Sequence, residues 1–268
     1  MPLPITRRRT AAALLATALL LPLTACGSDG AKDAAGARAG SPGAGSPEAD
    51  LTVLAASSLT DVFQEAGAAY EKESPGARIT FSFAGSQELA AQVRQGAPAD
   101  ALVTADAATM DRLASDTGEP TVIARNRLVI AVGEGNPEKV RNLADLADPG
   151  LKVVLAAPEV PVGRYGTRIL DAQGIEVKPV SQEPNVRAVL SKVALGEADA
   201  GLVYRTDAET AADKVDAVEI PDAENAVATY PAATLDASEH GEAAAAFVAW
   251  LTTPPAQDIF RAAGFQQP

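Results

Sequence analysis

The sequence predicts an α/β protein of two lobes, each a mostly parallel sheet flanked by helices. Two observations carry this. From Asp50 onward, short apolar runs alternate with segments whose apolar residues recur at helical spacing, the pattern of parallel strands joined by crossover helices. The alternation also comes in two series, the second starting near Arg127. About 220 residues of such pattern fit two lobes joined by two crossovers, near residues 127 and 230. The expected first lobe is 51–127 with 231–268, and the second is 128–230.

In the first series, 51–55 is a short apolar run and reads as a buried strand. Residues 60–73 carry Val62, Phe63, Ala66, Ala69 and Tyr70 at helical spacing and end at Ser74-Pro75-Gly76. Residues 78–83 alternate as a strand. Residues 86–95 read as a helix with Ser86 as its cap and Gly96 as its stop. A short strand at 101–104 and a helix at 107–114 follow.

In the second series, strands fall at 128–132, 153–156, 200–204 and 217–220. Helices fall at 142–147, 162–173 and 185–195, the last two ending at Gly174 and Gly196. Two terminal helices, 238–251 and 255–263, return to the first lobe. Phe247, Trp250, Leu251, Ile259 and Phe260 are expected in its core.

Composition narrows the function. The chain is 47% hydrophobic but only 4% aromatic, so its core must be mostly Ala, Val and Leu. Its net charge of −13 speaks against nucleic acid or an anionic membrane surface as a partner. His240 is the sole histidine and Cys26 the sole cysteine, which leaves no Ser-His-Asp triad, zinc cluster or disulfide to expect. Ser57-Ser58-Leu59-Thr60 lacks the lysine of a Ser-x-x-Lys nucleophile, and no GxxxxGK[ST] loop is present. The expectation is a binding protein with no cofactor, not an enzyme.

The N-terminus has its own logic. Arg7, Arg8 and Arg9 precede an apolar stretch, 11–21, that is too short to span a bilayer. Leu23-Thr24-Ala25-Cys26-Gly27 then resembles a bacterial lipobox. Residues 1–25 are the expected signal peptide and Cys26 the expected lipidation site. Residues 26–49, rich in Gly, Ala, Ser and Pro, are the expected tether.

The junctions between strands and helices suggest the ligand. In parallel sheets, ligands bind beyond the carboxyl ends of strands, where helices begin. There the chain places Ser57-Ser58, Gly85-Ser86, Val162-Gly163, Asn185-Val186 and Tyr204. Small residues let backbone approach a guest, and helix N-termini aim unpaired N–H groups at it. Serine hydroxyls add donors. Such a set forms an anion cage that needs no fixed cation.

These stretches together resemble the molybdate-binding proteins of ABC importers. The likeness covers about residues 51–266. In the first lobe it runs through Val53-Leu54-Ala55-Ala56-Ser57-Ser58-Leu59-Thr60, Phe83-Ala84-Gly85-Ser86-Gln87-Glu88-Leu89 and Gly96-Ala97-Pro98-Ala99-Asp100. In the second it runs through Pro158-Glu159-Val160-Pro161-Val162-Gly163-Arg164-Tyr165, Asn185-Val186-Arg187 and Leu202-Val203-Tyr204-Arg205-Thr206-Asp207-Ala208.

The resemblance implies a two-lobed periplasmic-binding-protein fold (type II) that closes on molybdate or tungstate through two crossover hinge strands. It implies Ser58 and Ser86 as hydroxyl and backbone donors, Val162 and Val186 as backbone donors, and Tyr204 as a phenol donor. Molybdenum would enter only as the bound oxyanion, with no protein ligand to the metal itself. The expected partners are a permease with a separate ATPase subunit and, through Cys26, the outer face of the cell membrane. A monomer is expected. The chain departs from the family's pattern at Val162, where a smaller residue is usual, and at Gly85, where serine occurs. Arg164, Arg187 and Arg205 place cations beside contact positions. They leave a second reading open: a lipoprotein for another, sulfate-type oxyanion or a small organic acid, anchored by Arg187 or Arg205.

Overall fold

The computed structural model describes residues 49–268; the signal peptide, Cys26 and the tether up to residue 48 lie outside the described residues. Ala49, expected in the tether, instead opens the first strand and pairs with Ala77. The strands are β1 (Ala49–Ala56), β2 (Ala77–Ala84), β3 (Ala101–Val103), β4 (Thr121–Gly133), β5 (Val153–Ala156), β6 (Ser181–Glu183), β7 (Ala200–Tyr204), β8 (Val215–Glu219) and β9 (Val227–Thr234). The helices are α1 (Thr60–Glu73), α2 (Ser86–Arg94), α3 (Ala107–Asp111), α4 (Pro161–Ala172), α5 (Val186–Ala194), α6 (Arg205–Glu209), α7 (Gly241–Trp250) and α8 (Pro254–Ala262). Single 3-10 turns occupy Ser57–Leu59 and Leu143–Ala147.

The strand order is β2-β1-β3-β9-β4-β7-β5-β6, with β8 also on β4. Pairing is parallel for β1–β2, β1–β3, β5–β6 and β5–β7. Every antiparallel pair contains β4 or β9, the strands at the crossovers. The sheet is thus mixed, with parallel pairing toward the outer part of each half and antiparallel pairing in the middle. Strand β4 belongs to both halves. Its residues 121–127 pair with β9, and Leu128 to Gly133 pair with β7 and β8. The return strand β9 is already paired at Val227, opposite Arg127, a few residues before the expected crossover at 230.

The first sheet is buried on both faces, and its strands sort their side chains by alternation. Leu54, Leu102 and Ala233 point to one core with Leu89, Met110 and Leu113. Val53, Ala55, Ala101, Val103 and Ala232 point to the other. The few aromatics gather on that second face. Phe63 lies 5.5 Å from Phe81 and 6.0 Å from Phe260, and Tyr70 packs edge-on against Phe247 and Trp250. Phe247, Trp250, Leu251 and Phe260 are core residues as expected, and Ile259 is half-buried against them. The C-terminal segment is tied back to β4. The Gln257 amide donates to the Ile123 carbonyl, and Arg125 and Gln266 exchange two backbone bonds.

This topology brings the carboxyl ends of β1, β5, β6 and β7 to the boundary between the halves. There the chain turns into the Ser57–Leu59 turn, α4, α5 and α6.

Candidate functional site

The 3-10 turn of Ser57–Leu59 follows directly from Ala56, whose extended ψ of 139° ends β1. Small side chains let this turn sit against the other half of the molecule. Ser58 lies inside the turn and caps no helix. Its hydroxyl lies 3.1 Å from the phenol of Tyr230 on β9.

The cap of α2 falls one residue earlier than expected. Gly85 is the N-cap, and Glu88 closes the turn by accepting the Gly85 N–H at 3.0 Å. That frees Ser86 from capping. Its hydroxyl accepts the Ala105 N–H at 3.0 Å, which leaves its own proton for a guest.

Two helices of the second half open at the same place. In α4, Pro161 stands in the first turn, pre-set for helix and without an N–H, and Val162 follows it with no side-chain cap over the helix end. In α5, Asn185 caps the Ala188 N–H at 3.0 Å. One end-turn donor is thereby satisfied, and the Val186 N–H at the helix start lies outside that bond. Amides in the first turn have no partner within their own helix, so both are free to serve a ligand. Their side chains are ordinary buried valines, 1% and 3% exposed.

Tyr204 ends β7 and is 1% exposed. Its phenol oxygen is buried with no partner among the described residues. Burial, with Tyr230, Tyr165, Asp106 and Asp207 nearby, holds its pKa well above the ordinary tyrosine value, so the group stays a donor. A buried hydroxyl without a partner costs about 1–3 kcal/mol, which a guest's oxygen would recover.

All five expected positions, Ser58, Ser86, Val162, Val186 and Tyr204, line one tight cavity between the two halves, with a free volume of only about 10 Å³. No residue of its lining carries a formal charge.

The three arginines near the site are engaged elsewhere. Arg164 Nε donates to Asp106 Oδ2 at 2.8 Å, and its Nη2 donates to Thr109 Oγ1 at 2.6 Å. Arg187 Nε donates to Asp207 Oδ1 at 2.6 Å, and its Nη2 to Asp61 Oδ2 at 2.7 Å. Arg205 pairs with Glu209 and Glu219. None of the three lines the cavity. Asp207 is fully buried, and burial pushes its pKa up to about 6 against the pull of Arg187.

Several contributors escaped the sequence reading. Tyr230, fully buried, backs Ser58 from β9; its phenol is pushed up by burial and also bonds Asn126. The Asn126 amide in turn donates to Thr206 Oγ1 at 2.8 Å. The Ala105 amide orients Ser86. Asp106, Asp61 and Asp207 neutralise the arginines. The only sequence signal for these was the presence of Asp or Tyr close to a strand end. Among the described residues, no group of three or more His, Cys, Asp or Glu is placed to hold a metal ion.

Two halves joined by β4 and β9, with their helix starts facing a shared uncharged cavity, define a two-lobed solute-binding protein. The chain belongs to the bacterial extracellular solute-binding proteins, whose family model matches residues 51–266. It is 42% identical over 259 residues to the molybdate-binding protein ModA of Mycobacterium tuberculosis, covering 95% of this chain and 97% of the relative. It is 32% identical over 231 residues to the ModA protein of Escherichia coli, covering 81% and 89%. Its fold matches the Azotobacter vinelandii periplasmic molybdate-binding protein at TM-score 0.71 and 23% identity, covering 81% of this chain and 99% of that one.

Proposed function

We propose that the chain captures molybdate between its lobes outside the cytoplasm and hands it to an ABC permease whose ATPase is a separate chain. The observation that carries this is the uncharged cavity lined by Tyr204, whose buried phenol has no partner among the described residues. Ser58, Ser86, Val162, Val186 and Tyr204 would supply only hydrogen-bond donors. That suits a tetrahedral dianion with four oxygens and no proton. Hydrogen phosphate would bring a proton that needs an acceptor, and no carboxylate lines the cavity. The 42% and 32% identical relatives, both molybdate-binding proteins, support the same ligand.

Tungstate, of nearly the same size and charge, should enter the same cage. The protein would act as a monomer without chemistry, tethered to the membrane by lipid on Cys26. The reading with Arg187 or Arg205 as an organic-acid anchor loses its anchor, because both guanidiniums are held by carboxylates away from the cavity.

A melting screen tests this. At a ligand concentration a hundredfold above Kd, binding to the native state alone adds about 2.7 kcal/mol. For about 220 folded residues this is roughly 5–11 °C in Tm. Molybdate and tungstate should give shifts of this order, and phosphate none. A shift with sulfate alone overturns the molybdate reading.

A further inference from the structure

We propose that Gly85 and Gln87 are positioning residues for the captured anion: together they seat lobe 1 on the backbone carbonyl of Pro184 in lobe 2 and so fix the spacing of the cage. This rests on the binding role above and adds what sets the distance between its two sets of donors.

The contact sits where that distance is decided. Gly85 directly precedes Ser86, and Pro184 stands two residues before Val186. The Gln87 amide donates to the Pro184 carbonyl at 2.7 Å across the gap. A β-carbon built on Gly85 would lie 2.5 Å from that same oxygen and 2.6 and 2.7 Å from the two terminal atoms of Gln87. Such approaches lie far inside the optimal separation of about 3.5–4.0 Å between heavy atoms.

Backbone conformation does not require glycine here, since φ of −62° and ψ of 140° suit any residue. What requires it is the other lobe. Gln87 could swing away from a new methyl group, but only by giving up its bond to Pro184. The Pro184 oxygen is backbone and cannot swing. With Pro184 where it stands in this chain, a methyl group at Gly85 would therefore push the start of α2 away from the start of α5 and lengthen the Ser86-to-Val186 span.

Of the other contacts between the halves, Arg187 with Asp61 and Arg164 with Asp106 and Thr109 are made by long side chains that tolerate a small shift, while Ser58 with Tyr230 and Asn126 with Thr206 lie on or beside the crossover strands. The Gly85–Pro184 approach is the stiff one, and it sets the stop.

The test uses the full protein with Gly85→Ala, with Gln87→Ala and unchanged, each read three ways: molybdate affinity by titration calorimetry, dissociation rate, and small-angle scattering with and without saturating molybdate. Gly85→Ala should melt like the parent without ligand yet fail to compact fully with molybdate. If the seated state then holds about a tenth of the loaded population, apparent affinity falls about tenfold. The loss should fall mainly on the dissociation rate. Gln87→Ala keeps the space and loses only the bond, so it should compact and lose less affinity. Gly85→Ala that compacts and binds like the parent overturns the proposal alone. A parent that neither binds molybdate nor compacts overturns the binding role and this proposal with it.

Discussion

Tyr204 and Ser86 separate two ways in which a cavity residue matters. The Tyr204 phenol has no partner among the described residues, so Tyr204→Phe removes an unsatisfied buried donor. The ligand-free protein should melt at the same temperature or higher. Molybdate affinity should fall, because a hydrogen bond to a charged group is worth roughly 1.5–3 kcal/mol, or about one to two decades. Ser86→Ala should cost a similar amount of affinity and carry a second penalty. Its hydroxyl also accepts the buried Ala105 amide, which alanine would leave unpaired. The ligand-free Tm should therefore drop as well. Calorimetry and melting on both variants give opposite signs for ligand-free stability. The same drop in both variants would mean that the Tyr204 phenol is satisfied by something other than a ligand.

At the scale of elements, the pairing of Arg187 joins α5 to α6 and α1. Its partner Asp207 is wholly buried and has one carboxylate oxygen, Oδ2, without a hydrogen-bond partner among the described residues. Arg187→Ala would strand that carboxylate, a change that costs 3–5 kcal/mol in comparable buried pairs. About 3 kcal/mol is expected here, since Asp207 can neutralise itself by taking a proton. Adding Asp207→Asn should restore part of the loss in a urea titration. A mere packing defect would not be rescued.

The elements also show what a single sequence exposes. β5 and β7 stand where their apolar runs put them, 153–156 and 200–204, because a strand covered on both faces must be apolar throughout. The first half of β4 was missed. Arg125 and Arg127 break its apolar run, and the ladder is irregular between Val122 and Ala124, which spoils the alternation. β9 hid behind Pro231, a residue that argues against a strand, and β6 is three residues with only Glu183 buried. The five cavity positions were legible through their order along the chain. The carboxylates that disarm the arginines were not. Asp106 and Asp61 lie 58 and 126 residues from Arg164 and Arg187, and only the tertiary fold brings them together.

At the scale of the molecule, the first sheet is built from two stretches of chain, since β9 pairs with β3 and β4, and its integrity depends on what joins them. Much of that duty falls to Asp100. It receives the Thr52 N–H at 2.7 Å from β1 and the Ser238 hydroxyl at 2.6 Å from the returning segment, with His240 Nδ1 at 3.2 Å. Burial would raise its pKa, but these bonds outweigh it and hold the carboxyl below its ordinary 3.8. A carboxyl whose folded pKa lies below its unfolded value stabilises the fold fully above the unfolded value. That contribution is lost as pH falls through the folded value. The Asp100 contribution should therefore hold between about pH 7 and 5 and decline below about pH 4. Other carboxylates decline there too, so the difference between the parent and Asp100→Asn is the informative quantity. An asparagine turns one acceptor into a donor facing either Thr52 or Ser238, so the variant should be less stable at pH 7. The gap should start to close as pH falls below about 4 and go on closing as the parent's Asp100 takes up its proton at its lowered folded pKa. A gap that stays constant from pH 7 to pH 3 would mean that the charge on Asp100 does not hold the two stretches together.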